Sequence, residues 1–113
     1  MKISKKVAFE IWESMFGDSL YAEDFDCGLM YKYAFGNRDY YEYRNGQKVY
    51  CGWNLHHILP KACGGKSTLD NLTCTNIITN EEAGDKTSFW IDDRFYQVKK
   101  KKDGGYIIIE VDR

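Results

Sequence analysis

The sequence has a single proline, no excess of charge of one sign and no long apolar run. Its 16 lysines and arginines nearly balance 17 aspartates and glutamates, which leaves a formal net charge of -1. With 43% hydrophobic and 16% aromatic residues, this composition excludes a disordered chain. The longest apolar stretches, such as residues 106–109, are far shorter than the ~18 residues that a membrane span needs. We therefore expect one globular domain over residues 1–113, with no membrane contact.

We also expect no secretory signal, because lysines and glutamates interrupt the first segment before any apolar core develops. We therefore expect a cytoplasmic protein whose thiols are reduced. The four cysteines contain no Cys-x-x-Cys pair. This spacing disfavours a structural zinc module and favours small, buried, apolar side chains.

The first regular segment is predicted to be a helix over residues 5–16. Ser4 suits the N-cap of this helix, and Gly17 suits its C-terminal end. Apolar side chains at helical spacing predict one buried face, formed by Val7, Ala8, Ile11, Trp12, Met15 and Phe16.

Turn signals predict antiparallel strands on both sides of the middle of the chain. Asn45-Gly46 is typical of a two-residue hairpin with a type I′ turn. A short strand or hairpin is expected near residues 29–35. Near the C-terminus, turn residues separate three stretches that predict a three-stranded meander, residues 88–91, 94–100 and 106–111.

Both histidines of the chain, His56 and His57, stand side by side at the end of a predicted strand. A neutral imidazole is a suitable general base near pH 7. Because successive side chains of a strand point to opposite sides, the two rings share one site only if the strand ends there. The segments that follow are a wide turn with Pro60 and Gly64-Gly65, a short strand over 72–75 and a short helix over 76–84.

This segment resembles the HNH endonuclease family, whose members carry a gapped [D/H]-H-I-x-P, G-G, N-L and N pattern. The matching residues are His56-His57-Ile58-Leu59-Pro60, Gly64-Gly65, Asn71-Leu72 and Asn80. Their spacing is similar to that of the HNH domains of CRISPR effector nucleases, and the paired histidines are similar to those of nuclease colicins. The match covers residues 52–86. The chain also resembles small phage or mobile-element HNH proteins at Trp12, Phe16-Gly17, Asp24-Phe25 and Gly52-Trp53-Asn54.

The resemblance implies an α+β fold with a ββα-metal core, also called a His-Me finger. Around that core it implies an N-terminal helix, an added β-hairpin and a C-terminal antiparallel β-meander. The implied activity is metal-dependent hydrolysis of phosphodiester bonds in DNA, in a bacterial or phage-infected cell.

The resemblance also implies a role for each site residue. His57 is the general base, and Asn71 holds it in orientation. His56 and Asn80 are the ligands of one divalent cation, Mg²⁺ or Mn²⁺. Ni²⁺ or Zn²⁺ are alternatives, because His56 stands where many members have aspartate. Asn76 is either a further ligand or the N-cap of the short helix.

Lysines around the motif are candidate contacts to DNA phosphates or ordinary solvated side chains. They are Lys61, Lys66 and Lys86. Residues 61–102 carry eight basic and six acidic side chains, a local excess opposite in sign to the net charge of the chain. This modest excess predicts weak, salt-sensitive binding to DNA and leaves room for a protein partner that delivers the substrate. Both a monomer and a homodimer are compatible with the sequence.

A non-catalytic binding protein of HNH fold is the alternative function. A phage-encoded inhibitor of a host defence nuclease and a packaging accessory are examples, and the near-neutral charge favours them. The intact set of His56, His57 and Asn80 favours the enzyme, because a binding protein needs no general base.

Overall fold

The computed structural model describes residues 3–112, which form two helices and nine strands in four small antiparallel sheets. The helices are α1 (Lys5–Phe16) and α2 (Ile77–Ala83). The strands are β1 (Tyr21–Glu23), β2 (Leu29–Tyr31), β3 (Tyr41–Arg44), β4 (Gln47–Tyr50), β5 (Trp53–His57), β6 (Leu72–Asn76), β7 (Ser88–Ile91), β8 (Arg94–Lys100) and β9 (Tyr106–Glu110). Three sheets are the pairs β1–β2, β3–β4 and β5–β6, and the fourth is β7–β8–β9.

Helix α1 confirms the predicted N-terminal helix and both of its ends. The Ser4 hydroxyl accepts a hydrogen bond from the Val7 amide at 3.2 Å. Gly17 ends the helix with a φ of 65°, a conformation that glycine adopts without steric cost. The predicted apolar face is buried at Ala8, Ile11 and Trp12. Neither helix within residues 3–112 has the length and apolar character that crossing a membrane requires.

The predicted β-hairpin is confirmed as the β3–β4 pair. Asn45 and Gly46 have φ values of 53° and 79°, and a type I′ turn requires positive φ at both central residues. Near residues 29–35 the expected strand is shorter than predicted, because β2 ends at Tyr31 and a 3-10 turn follows.

The three C-terminal strands are also found at their predicted positions. Strands β7 and β8 have the predicted bounds, and β9 ends one residue early, at Glu110. Asp92 in the first turn has a φ of 53°. The resulting sheet is small, with strands of four, seven and five residues.

Buried side chains form two separate hydrophobic clusters. The main cluster joins α1, β2, β5 and β6, and its members are Ala8, Ile11, Trp12, Met30, Ala34, Trp53, Leu72 and Cys74. The second cluster joins α2 to the C-terminal sheet, and its members are Ala83, Phe89, Ile91 and Tyr96.

The predicted fold class, an α+β fold built on a ββα-metal core, is wrong. Residues 3–112 form a small β-rich domain divided among four small sheets, and its C-terminal meander is short. Strands β5 and β6 pack in the main cluster with α1 and β2, whereas α2 contributes Ala83 to the second cluster. The sequence motif specified the local order of strands and helix. It did not specify which distant segments share a core.

Candidate active site

His56 and His57 lie at the end of β5, and Asn80 lies on α2. The three side chains line one open cleft of about 310 Å³. In the β5–β6 pair His56 is opposite Thr73, and His57 is opposite Leu72. The end of β5 and helix α2 therefore bring three of the predicted site residues to a common cleft.

His56 is held against Asn80 in the interior of the domain. The side chain of His56 is only 4% exposed, and its Nδ1 lies 2.5 Å from Oδ1 of Asn80. The amide nitrogen of Asn80 donates a hydrogen bond to Oδ1 of Asn54 at 2.7 Å. Because this bond places the amide nitrogen beside Asn54, the oxygen of Asn80 faces the imidazole.

Burial lowers the pKa of His56, and the hydrogen bond with Asn80 opposes this shift. The imidazole is therefore neutral at pH 7. Because Oδ1 of Asn80 can only accept, Nδ1 of His56 carries the proton and donates the hydrogen bond. Nδ1 becomes available to a cation only when this bond opens and the proton moves to Nε2.

His57 is half-buried, and its Nε2 lies 2.8 Å from Oγ of Ser67. Burial lowers the pKa of His57, and the positive charge of Lys61 lowers it further. Lys61 lines the same cleft. A neutral His57 has a lone pair that can accept a proton near pH 7, as a general base must.

Asn71 clasps the loop between β5 and β6 and is not bonded to His57. Its side chain is buried, and its Oδ1 accepts a hydrogen bond from the Leu59 amide at 2.8 Å. Its Nδ2 donates to the carbonyls of Leu59 and Lys66 at 3.0 and 2.9 Å. The expected contact between Asn71 and His57 is therefore not seen; Asn71 instead bonds the backbone of Lys66, the residue before Ser67.

Asn76 is the N-cap of α2. Its Oδ1 accepts a hydrogen bond from the Ile78 amide at 2.9 Å. Its Nδ2 donates to the carbonyls of Leu29 and Tyr50 at 2.8 and 2.9 Å. These bonds occupy the side chain, so the structure places Asn76 in the capping role rather than beside His56.

The three candidate phosphate-binding lysines lie in different places. Lys61 lines the histidine cleft. Lys66 lines a separate cavity beside Asn71, and Lys86 is exposed and is not among the residues that line the histidine cleft. Asp85 also lines the cleft, so the protein offers little net positive charge there.

The sequence motif assigns no role to Asn54 and Ser67, which hydrogen-bond the two site residues Asn80 and His57. Asn54 stands two residues before His56 on β5, a spacing that places two side chains on the same face of a strand. That alternation was an available signal. Ser67 had no such signal, because the course of its loop decides whether it reaches the ring.

Asp24 is a third missed residue, and it ties a distant loop to the start of α2. Its Oδ1 accepts hydrogen bonds from the amides of Asp26 and Gly28 at 2.9 and 2.7 Å. Its Oδ2 accepts from the amide of Asn76 at 2.9 Å. Asp24 and Asn76 are 52 residues apart in sequence, so no local pattern indicates this contact.

The two atoms proposed by the motif as cation ligands are Nδ1 of His56 and Oδ1 of Asn80. They face each other across one hydrogen bond. Within residues 3–112 no group of three or more histidine, cysteine, aspartate or glutamate side chains suits a metal ion. An amide oxygen suits Mg²⁺ or Mn²⁺, whereas an imidazole suits Ni²⁺ or Zn²⁺. A divalent cation at this position would have two protein ligands, His56 and Asn80, and would replace the hydrogen bond between them.

Comparisons with protein-family models, with curated proteins and with solved structures gave no match. The resemblance to HNH endonucleases therefore rests on the sequence motif alone.

Proposed function

We propose that the protein is a metal-dependent endonuclease of HNH type that hydrolyses phosphodiester bonds in DNA. The observation that carries this proposal is the shared cleft of His56, His57 and Asn80. Asn80 is 24 residues from His56 in sequence, and its amide oxygen is nevertheless directed at the imidazole. A half-buried general base beside two candidate metal ligands, in a cleft open to solvent, suits hydrolysis of a phosphodiester.

His57 is the proposed general base. When its Nε2–H donates a hydrogen bond to Ser67, the lone pair of the neutral ring is on Nδ1. This lone pair accepts the proton of the attacking water. Ser67 is therefore a positioning residue that holds the ring of His57 in orientation.

His56 and Asn80 are the proposed ligands of one divalent cation, Mg²⁺ or Mn²⁺, with Ni²⁺ or Zn²⁺ as alternatives. When bound, such an ion polarises the phosphate and stabilises the negative charge of the leaving oxygen. Asn54 keeps the oxygen of Asn80 directed at His56 through the bond to Nδ2 of Asn80.

Binding to DNA is expected to be weak and sensitive to salt. One lysine, Lys61, and one aspartate, Asp85, line the cleft. The formal net charge of the chain is -1. Few phosphate charges are therefore neutralised by the protein. A protein partner that brings the DNA, a monomeric or homodimeric state and a cytoplasmic location belong to the same proposal.

The test is relaxation of supercoiled plasmid with Mg²⁺, Mn²⁺, Ni²⁺ or Zn²⁺, comparing wild type with His57→Ala. We expect at least one metal to support nicking, and we expect His57→Ala to lower the rate by about 10²–10⁴-fold, the usual contribution of a general base. Ser67→Ala should cause a smaller loss. Ser14→Ala on the exposed side of α1 is the matched control and should nick like wild type.

The proposal fails if no metal supports nicking, or if His57→Ala nicks as fast as wild type while retaining the wild-type circular dichroism spectrum. A folded wild type that neither cuts DNA nor shifts it in a gel would instead favour the non-catalytic binding protein. The near-neutral charge and the balanced cleft are the observations that favour this second function.

The ligand assignment is tested separately by titrating Mn²⁺ into wild type and Asn80→Ala in a calorimeter. We expect weaker binding to the variant, with little loss of fold. Unchanged affinity for Mn²⁺ would remove Asn80 from the proposed site.

A further inference from the structure

The β3–β4 hairpin presents three exposed tyrosines and one lysine on a single face. We call Tyr41, Tyr43, Lys48 and Tyr50 the tyrosine face. Tyr41 is opposite Tyr50, and Tyr43 is opposite Lys48; side chains two residues apart on one strand also share a face. The three tyrosines are 40%, 68% and 39% exposed, respectively.

The rings and the lysine of the tyrosine face are in mutual contact. The ring centroid of Tyr41 lies 5.6 Å from that of Tyr43 and 5.9 Å from that of Tyr50. The ammonium of Lys48 lies 4.2 Å from the Tyr41 centroid and 5.2 Å from that of Tyr50. A hydrogen bond with Tyr50 raises the pKa of Lys48, so its charge is present at pH 7. The face therefore combines aromatic surface with a cation.

The opposite face anchors the hairpin to the rest of the domain. Glu42 accepts hydrogen bonds from the hydroxyls of Tyr21 and Tyr40 at 2.7 and 2.9 Å. It also pairs with Arg44 at 3.2 Å. The carboxylate of β3 is thus turned away from the tyrosine face and held by three partners. These contacts tie the hairpin to the rest of the domain, and its other face carries a cation and no carboxylate.

The tyrosine face adjoins the helix that contributes to the candidate active site. Tyr50 lines a cavity of about 270 Å³ together with Ile78 and Glu81 of α2. Arg38 lines the same cavity and pairs with Glu81 at 2.6 Å. Helix α2 also carries Asn80, so it lines both this cavity and the histidine cleft.

We propose that the tyrosine face binds single-stranded nucleic acid. Bases stack on the rings of Tyr41, Tyr43 and Tyr50, and Lys48 contacts a phosphate. Stacking on aromatic side chains tolerates any base sequence, and a cation beside the rings suits a polyanion. This inference rests on the proposed nuclease function for its choice of polymer.

The test is fluorescence anisotropy with a labelled single-stranded oligothymidylate of about 20 nucleotides, in EDTA so that nothing is hydrolysed. We expect Tyr43→Ala to weaken binding by about tenfold and the double variant with Tyr41→Ala to weaken it further. Tyr43→Phe should bind like wild type, because the ring remains. Lys48→Gln should weaken binding and reduce its dependence on salt.

The matched control is Tyr33→Ala, because Tyr33 is 57% exposed but lies outside the hairpin; it should bind like wild type. The inference is overturned if wild type does not bind the oligonucleotide, if it prefers duplex of the same sequence, or if Tyr43→Ala binds equally well. A wild-type dimer that Tyr43→Ala dissociates would also overturn it, because a second copy would then be the occupant.

Failure of this inference is distinguishable from failure of the nuclease proposal. If oligonucleotide binding depends on Tyr43 but no metal supports nicking, the nuclease proposal fails and the inference about the tyrosine face stands. If nicking depends on His57 but Tyr43→Ala binds the oligonucleotide like wild type, the inference fails and the nuclease proposal stands.

Discussion

Replacing Asn71 by alanine should destabilise the protein by about 3 kcal/mol. The side chain is 6% exposed and makes three hydrogen bonds to the backbone of Leu59 and Lys66, at 2.8 to 3.0 Å. Each such bond contributes about 1 kcal/mol net, and a buried group left without its partner adds to the cost. Since small domains are stable by only about 5–15 kcal/mol, this loss would be a large fraction of the total.

Urea denaturation followed by tryptophan fluorescence measures this loss. Trp12 and Trp53 are fully buried, with ring centroids 4.9 Å apart, so their emission reports the main hydrophobic cluster. A loss of that size lowers the unfolding midpoint by roughly 1–3 M urea. Thr68→Ala removes an exposed hydrogen bond to Asp70 in the same loop and should change stability by about 0.5 kcal/mol or less. An Asn71→Ala variant as stable as Thr68→Ala would refute the reasoning.

Replacing Asn71 by aspartate puts a negative charge at the same buried position. The new side chain keeps an acceptor for the Leu59 amide but turns a negative oxygen toward the carbonyls of Leu59 and Lys66. At pH 7 this variant should therefore be less stable than Asn71→Ala. Protonation lets the carboxyl donate to one carbonyl, so its pKa is raised in the folded state. The penalty is smallest below about pH 4 and grows as the pH rises. Equal penalties at pH 4 and pH 7 would contradict this.

Three further predictions concern thiols, a tyrosine and a glycine turn. The cysteines divide into two exposed and two buried, Cys27 and Cys63 against Cys51 and Cys74. Two thiols should therefore react with Ellman's reagent in the native protein and four after unfolding; four fast native thiols would contradict the burial. The hydrogen bond with Glu42 raises the pKa of Tyr40 to about 12. This bond stabilises the fold below about pH 10, and the stabilisation is lost as the pH rises through 12. In an absorbance titration one tyrosine should ionise at unusually high pH, and Glu42→Gln should lower the pH of that step. An unchanged titration curve would contradict the assignment of the shift to Glu42. An alanine at Gly64 is strained because the φ there is 94°, but its Cβ meets nothing within 4 Å, whereas a Cβ on Gly65 would lie 1.7 Å from the carbonyl oxygen of Leu59. Gly65→Ala should therefore be the more destabilising of the two substitutions. Thermal melts of the two variants compare them directly, and equal melting temperatures would contradict the packing.

Local structure could be predicted from the sequence wherever its cause lies within a few residues. Ser4 and Gly17 set the ends of α1. Asn45-Gly46 sets the β3–β4 turn through its positive φ values. The architecture could not be predicted in this way, because it depends on which apolar faces meet. Trp12 on α1 packs against Trp53 on β5, and nothing near either residue in the sequence indicates the other.

The geometry of the candidate site also depends partly on neighbouring residues and partly on contacts between distant segments. The adjacent histidines could be recognised in the sequence, but the position of Asn80 depends on where α2 begins. That point is held by the carboxylate of Asp24, which accepts a hydrogen bond from the amide of Asn76. A Cβ on Gly28 would lie 2.7 Å from this carboxylate, so the loop over residues 24–28 fits closely against the start of α2. A substitution in that loop should therefore alter the distance between His56 and Asn80 without touching either residue. The geometry of the site is a property of this long-range contact as much as of the motif.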